Sequence, residues 1–411
     1  MTLPYSKIAS LLEEVSRVRR VGKSDIVAEF LSGLEAGQVC CVMRLLSGKL
    51  WSAWDRKDMN VGPGLLEDVL QELSQEDVLQ LRQRLGELGD VAEAALSSKT
   101  QQPIYSEPLD SIWVYQSLYR ISNQKGQDSE YRKRSIIRGL FLEASPIEGK
   151  YIARTLLRNV SVGLGSNTFL LAVAKAFNYD YLQLKKAFAL MPEIGILAES
   201  ACRREIELIK FLPSRPMKSM IITRDDKAFS NILLLKYPGV RIQLHWIGKR
   251  MHIYSSRLRD ITGSLSSLSK YILNFAHDLV IEGEIIILRD GQILGSGEVI
   301  KYINQIHHPD PSKICPAVVA HDLLFIDDQD LLGLPYEKRY RRLASLLGDP
   351  KGPLFCGLNL AQQIVIKDEQ ELEKIKAELH KSGYLRLIAR DPMSPYHPGM
   401  RSDNDFMIRI P

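Results

Sequence analysis

The chain has 411 residues, 45% hydrophobic and 25% charged, and 54 Lys and Arg against 49 Asp and Glu give a formal net charge of +5. These proportions exclude a low-complexity or disordered chain and leave room for two or three globular domains. No apolar run approaches the roughly 20 residues of a membrane span. Met1-Thr2-Leu3-Pro4-Tyr5 lacks the basic-then-apolar layout of a secretory signal, so the expected location is the cytoplasm.

The first half reads as helices. Tyr5, Ile8, Leu11, Leu12, Val15 and Val18 recur at helical spacing, as do Leu79, Leu85 and Leu88 and the set Ile136, Ile137, Leu140 and Phe141. Residues 66–93 are acid-rich, whereas Arg132, Lys133, Arg134, Arg138, Lys150, Arg154 and Arg158 fall on two neighbouring predicted helices, as a solvated face or a phosphate-contacting one. Ser145-Pro146-Ile147-Glu148 carries an N-cap hydroxyl, a proline for the first helical position and a glutamate for a capping box. A helix is predicted from there to about Arg158, a break through Val162-Gly163-Leu164-Gly165, and a further helix from Ser166 to Phe177.

The two prolines of Phe211-Leu212-Pro213-Ser214-Arg215-Pro216 mark a linker, after which strands dominate. Val240, Ile242, Leu244 and Trp246 alternate with Arg241, Gln243 and His245, a period of two that places the polar three on one face. A strand over Leu279 to Leu288 sets Glu282 and Glu284 on one side. Further strands are predicted at Ala317 to Ile326, Tyr384 to Arg390 and Phe406 to Ile410, with helices at Pro335 to Leu347 and Asp368 to His380. Cys40, Cys41, Cys202, Cys315 and Cys356 lack paired metal-ligand spacing and are expected as reduced thiols.

Several segments, in order, resemble ATP-dependent DNA ligases of the archaeal and eukaryotic replicative type. They are Leu45-Leu46-Ser47-Gly48-Lys49-Leu50 with Val61-Gly62, then Leu140-Phe141-Leu142-Glu143-Ala144, Lys150-Tyr151-Ile152-Ala153-Arg154-Thr155-Leu156-Leu157 and Val162-Gly163-Leu164-Gly165. Next come Arg215-Pro216-Met217, Lys236-Tyr237-Pro238-Gly239-Val240-Arg241, Tyr254-Ser255-Ser256-Arg257-Leu258, Glu282-Gly283-Glu284, Asp322-Leu323-Leu324-Phe325 and Ser394-Pro395-Tyr396-His397-Pro398-Gly399. The likeness covers nearly the whole chain. It implies a multidomain fold: an all-α DNA-binding domain over residues 1–208, then an α+β adenylation domain with antiparallel sheets over residues 209–411.

The resemblance also implies roles. Lys236 occupies the position of the lysine whose amine attacks the α-phosphorus of ATP and accepts AMP, with Mg2+ assisting. Arg241, Arg257, Glu284 and His321 fall at nucleotide-binding positions, Glu284 being the metal-facing carboxylate. Lys150, Arg154, Arg158, Gly163 and Gly165 fall at DNA-binding positions, where bare glycine backbone and helix N-terminal amides approach phosphates; turn geometry alone is the other use of those glycines.

Departures from the family pattern accompany these matches. Pro238 replaces an aspartate, Leu234 a glutamate that helps to recognise adenine, Ser256 an arginine, and His321 an aromatic residue that stacks on the base. Leu385-Arg386 stands where a Glu-Gly strand helps to bind metal, Ile408 and Ile410 align with two lysines, and Ser161 replaces an arginine frequent at the DNA face. The chain ends at Pro411, directly after the last motif, so the C-terminal oligonucleotide-binding domain of these ligases is expected to be absent.

The leading expectation is a protein that binds duplex or nicked DNA within a larger assembly, with ligation lost or strongly impaired. Two others stand beside it: an active nucleotidyltransferase using Lys236 with a partner chain supplying the closing domain, and a protein scaffold on a ligase fold.

Overall fold

The structure, a computed structural model, describes residues 3–19, 21–100, 108–160, 162–272, 276–305, 314–348, 353–381 and 384–410. Ser161 and Pro411 lie outside the described residues. The chain forms two compact units, residues 1–188 with 192–209, and residues 189–191 with 210–411. Among the described residues no helix is long and apolar enough to cross a membrane.

The first unit is helical, with α1 (Tyr5–Arg17), α2 (Lys23–Ser32), α3 (Ala36–Ser47), α4 (Pro63–Leu73), α5 (Val78–Leu85), α6 (Leu88–Ser97), α7 (Ser111–Ser122), α8 (Ser129–Glu143), α9 (Pro146–Leu156), α10 (Ser166–Phe177), α11 (Tyr181–Leu190) and α12 (Ile194–Cys202). The capping box before α9 forms as written, Ser145 and Glu148 each bonding the other's backbone end. Its helix stops at Leu156, short of Arg158, which takes a left-handed φ of 57°. The Leu79 and Leu85 periodicity misleads: Asp77 caps α5, which buries Val78 and Leu81 and leaves Leu79 67% exposed and Leu85 38% exposed. Gly86 then ends that helix, so Leu88 belongs to the next one.

The second unit contains β1 (Ile221–Arg224), β2 (Ile232–Leu235), β3 (Val240–Ile247), β4 (Arg250–Ser255), α13 (Ser269–Ile272), β5 (Leu279–Arg289), β6 (Gln292–Ile293), α14 (Ser296–Asn304), β7 (Ile314–Ile326) and β8 (Gln329–Asp330). It continues with α15 (Tyr336–Leu347), β9 (Gly357–Leu360), β10 (Gln363–Val365), α16 (Glu369–Lys381), β11 (Arg386–Arg390) and β12 (Arg401–Arg409). One sheet runs β1-β12-β11-β2-β10, the other β4-β3-β5-β7-β8 with β6 on β5 and β9 on β7. Most pairs are antiparallel, as expected, but β1 lies parallel to β12 and β9 parallel to β7, so both sheets are mixed.

Apolar residues of both sheets share one core, with Leu233, Leu387 and Ile408 from the first and Leu244, Ile281 and Val319 from the second. Strand β5 is buried on both faces from Leu279 to Leu288 because that core takes Ile281 and Ile285 while a second apolar cluster takes Val280 with Met217, Met220 and Tyr396. The expectation of reduced thiols fails for one pair. Cys315 and Cys356 form a disulfide, 41 residues apart in sequence, because parallel pairing of β9 with β7 sets Gly357 beside Ala317. Cys40, Cys41 and Cys202 remain free.

Candidate active-site cleft and nucleic-acid interface

Lys236 follows β2, and the tight turn after it has a clear cause. Gly239 N–H donates to Tyr237 O at 2.8 Å, closing a three-residue turn around Pro238, and a proline's fixed φ suits that central position. Gly239 is required by proximity, since a Cβ there would lie 2.4 Å from the Ile285 carbonyl oxygen of β5. The turn delivers Lys236 to Glu284: the ammonium pairs with one carboxylate oxygen, and the other accepts Tyr237 N–H at 3.0 Å. The Glu284 side chain is 5% exposed and that of Lys236 24%. Burial raises the Glu284 carboxyl's pKa above its ordinary value, with Lys236 opposing.

Arg241, Gln243 and His245 do share a face, and the chain covers it. Gln243 Nε2 donates to Met217 O at 2.9 Å and its Oε1 accepts Met217 N–H, while His245 Nδ1–H donates to Pro213 O at 2.7 Å. Arg241 Nη1 donates to Met220 O at 2.7 Å and Nη2 pairs with Glu282 at 2.5 Å. The Tyr396 hydroxyl donates to the other Glu282 oxygen at 2.8 Å and accepts Met220 N–H. Burial works against the Arg241 charge, yet Glu282 holds its pKa above the usual arginine value. Burial also drives His245 down to about 4.

His321 is 7% exposed, and burial, followed by the Arg241 and Arg390 charges, pushes its pKa well below the usual imidazole value. Next to it, Asp322 is a hub. Its Oδ1 accepts Arg339 Nε at 2.7 Å, and its Oδ2 accepts Arg339 Nη2 at 2.9 Å and Arg390 Nη2 at 3.0 Å. Arg390 also faces Asp405 at 3.6 Å. The four side chains are essentially fully buried and join β7, α15, β11 and β12. Asp322 and Tyr396 lie within the ligase-like segments, whereas Arg339, Arg390 and Asp405 lie outside them. An isolated charge inside an otherwise amphipathic pattern was the available signal.

Other positions differ in environment. Arg257 is exposed in the turn after β4. Leu234, Ile408 and Ile410 are 1%, 0% and 1% exposed and belong to the apolar core, whereas Leu385 is 66% exposed. At Glu284, the carboxylate expected to face a metal, both oxygens are engaged within the chain. One pairs with the Lys236 ammonium and the other accepts the Tyr237 N–H, while the buried side chains of Leu234, Ile408 and Ile410 offer no charge.

In the helical unit, Gly163 and Gly165 lie on a pocket of about 680 Å³ lined by Leu46, Ser47, Val160, Val162 and residues 163–168. Gly163 takes φ of 72°, a left-handed value that favours glycine, and the buried Lys23 ammonium donates to Val162 O beneath it at 2.5 Å. Gly165 is the N-cap of α10 and offers no side chain to its first-turn amides. The basic residues are less free than their spacing suggests. Lys150 meets Glu93 at 3.0 Å, Asp90 at 3.1 Å and Glu13 at 3.2 Å, and Arg154 meets Glu87 at 2.9 Å and Asp90 at 3.3 Å. Arg134 and Arg138 pair with Glu72. Arg158, its side chain 52% exposed beside Asp58, is the most open of the three expected DNA-contacting cations.

Comparison with known proteins bears on the family and the fold. Residues 4–174 match the DNA ligase N terminus family and residues 216–407 the ATP dependent DNA ligase domain. A DNA ligase of Methanoculleus marisnigri is 30% identical over 396 residues, covering 93% of this chain and 71% of that protein. A DNA ligase of Methanosphaera stadtmanae is 27% identical over 421 residues, covering 97% and 75%. The solved structure of Pmar-Lig_Pre shares the fold, with a TM-score of 0.52 at 12% identity over 98% of this chain and 77% of that one. With both family domains matched in order and a relative at 30% identity across most of its length, this chain belongs to the ATP-dependent DNA ligase family.

Proposed function

We propose that the protein binds duplex or nicked DNA through its helical unit, as part of a larger assembly, with nucleotidyl transfer at Lys236 lost or strongly impaired. The observation that carries this reading is the mutual neutralisation of Lys236 and Glu284 beside a core containing Leu234, Ile408 and Ile410. A nucleophilic amine has to be free to reach the α-phosphorus, and the Lys236 amine is held on Glu284. Triphosphate charge also needs preorganised cations, each worth several kcal/mol in a transition state, and isoleucine supplies none. The DNA side of the proposal rests on the glycine turn, the uncapped start of α10 and Arg158.

Incubation with α-labelled ATP and Mg2+ tests the first part, no protein-bound label being expected. An electrophoretic shift on nicked duplex tests the second, with salt-sensitive binding expected. The other reading, an active nucleotidyltransferase completed by a partner chain, draws on relatives that are DNA ligases and on the partial exposure of Lys236. Labelling that disappears in Lys236→Ala would establish it.

A further inference from the structure

Cys315 lies at the start of β7 and Cys356 immediately before β9, their Cα atoms 5.7 Å apart. The chain beyond Cys356 is a lace between the sheets. Within the second sheet, β9 runs beside β7 from Gly357 to Leu360, and Ala361 N–H continues the pairing by donating to Ala320 O at 2.7 Å. The Ala361 carbonyl accepts the Tyr340 hydroxyl at 2.6 Å. Then β10 crosses to the first sheet and pairs with β2, Gln363 opposite Leu234. Lys236 follows that strand directly.

We propose that Cys315–Cys356 is a redox-responsive clasp: closed, it pins the strand that laces the two sheets and keeps Lys236 on Glu284; open, it loosens that strand and exposes the Lys236 amine. Two short strands with few ladder bonds have little stability of their own, so a covalent anchor at one end has a large local effect. Both cysteines are partly exposed, within reach of small thiol reagents. In the helical unit, burial lifts Cys40 to about 11 and Cys41 to about 12, which leaves those thiols poor competitors at neutral pH.

The chemistry is thiol–disulfide exchange with a low-molecular-weight disulfide. One cysteine thiolate attacks a sulfur of the reagent and expels one thiolate; the second cysteine then displaces the other. Two cysteine thiols and one reagent disulfide become one protein disulfide and two reagent thiols, the two electrons and two protons passing to the reagent. A dithiol reverses the exchange.

The full chain is equilibrated with oxidised or reduced glutathione. Free thiols are counted by maleimide mass shift, and acylation of Lys236 by an amine-reactive ester is followed by peptide mapping. The oxidised form should show three thiols, those of Cys40, Cys41 and Cys202, and the reduced form all five. Reduction should raise Lys236 acylation and backbone exchange over residues 357–365 about fivefold or more. Cys356→Ser should behave as the reduced form under both conditions; should it fail to fold, the wild-type comparison decides alone. Five thiols in the oxidised sample, or unchanged acylation and exchange on reduction, overturns the proposal. These readouts require neither nucleotide nor DNA, so they stand apart from the proposed function.

Discussion

Lys236 and Glu284 satisfy each other at the end of β2, and the backbone N–H of Tyr237 takes the remaining carboxylate oxygen. The residue that marks the ligase motif is thus tied into the structure by the carboxylate expected to face a metal. Removing the ammonium leaves a buried carboxylate without its counter-charge, which costs more than the pair contributes.

Lys236→Met should lower unfolding stability by about 2 kcal/mol, a figure held below the buried-pair range because the lysine is partly exposed. Lys236→Met with Glu284→Leu should lose less than the two single changes summed. Urea titration of the four proteins checks this, and strict additivity would show that the pair carries no coupling.

The Asp322 hub should be more sensitive. Asp322→Asn keeps the shape but leaves Arg339 buried without a carboxylate partner and Arg390 with only Asp405 at 3.6 Å, so a loss of about 3–5 kcal/mol is expected. Denaturant midpoints measure it. A change below about 1 kcal/mol would place the sheet-to-sheet bond elsewhere, in apolar packing.

Acid should weaken the fold through His245. Its folded pKa of about 4 lies below the ordinary 6.5 because the ring is buried, with Nε2 lacking a hydrogen-bond partner among the described residues. Between those values the unfolded chain binds a proton that the folded one refuses. The stabilisation is therefore present above pH 6.5 and is lost as pH falls towards 4, by up to about 3 kcal/mol. Unfolding midpoints at pH 7.5 and 4.5 should differ more for wild type than for His245→Asn, and equal differences would remove His245 as the cause.

The elements that were legible in the sequence are those written locally. Ser145 to Glu148 contain a complete capping box, and the alternation around Arg241 and His245 is a strand pattern with few other solutions. Contacts between distant residues were not legible. The acidic partners of Lys150 come from Glu13, Asp90 and Glu93, on two other helices, so spacing made the cation look available. Cys315 and Cys356 meet only through a parallel pairing, which no local pattern encodes. Arg241 and Gln243 were readable as a polar face, but the covering segment from Pro213 to Met220 was not.

The same contrast between local pattern and distant contact separates the DNA-facing residues. Lys150→Ala should reduce stability by about 1–3 kcal/mol, since it leaves clustered carboxylates uncompensated, and should change DNA affinity little once folding is accounted for. Arg158→Ala should leave stability nearly unchanged and weaken binding to nicked duplex, with the salt slope shallower by about one.

Gly165 provides the sharpest test of the interface. It takes φ of −90°, and a Cβ added there meets nothing within 4 Å, so Gly165→Ala should fold normally. A methyl group at the mouth of the pocket would nevertheless stand between the first-turn amides of α10 and an approaching phosphate. Its expected effect is a fall in DNA affinity of roughly tenfold, or about 1.4 kcal/mol, with no change in melting temperature. Fluorescence anisotropy on a nicked duplex at several salt concentrations measures it. Full affinity in Gly165→Ala would mean that the glycine serves the turn alone and that phosphate contact lies with Arg158.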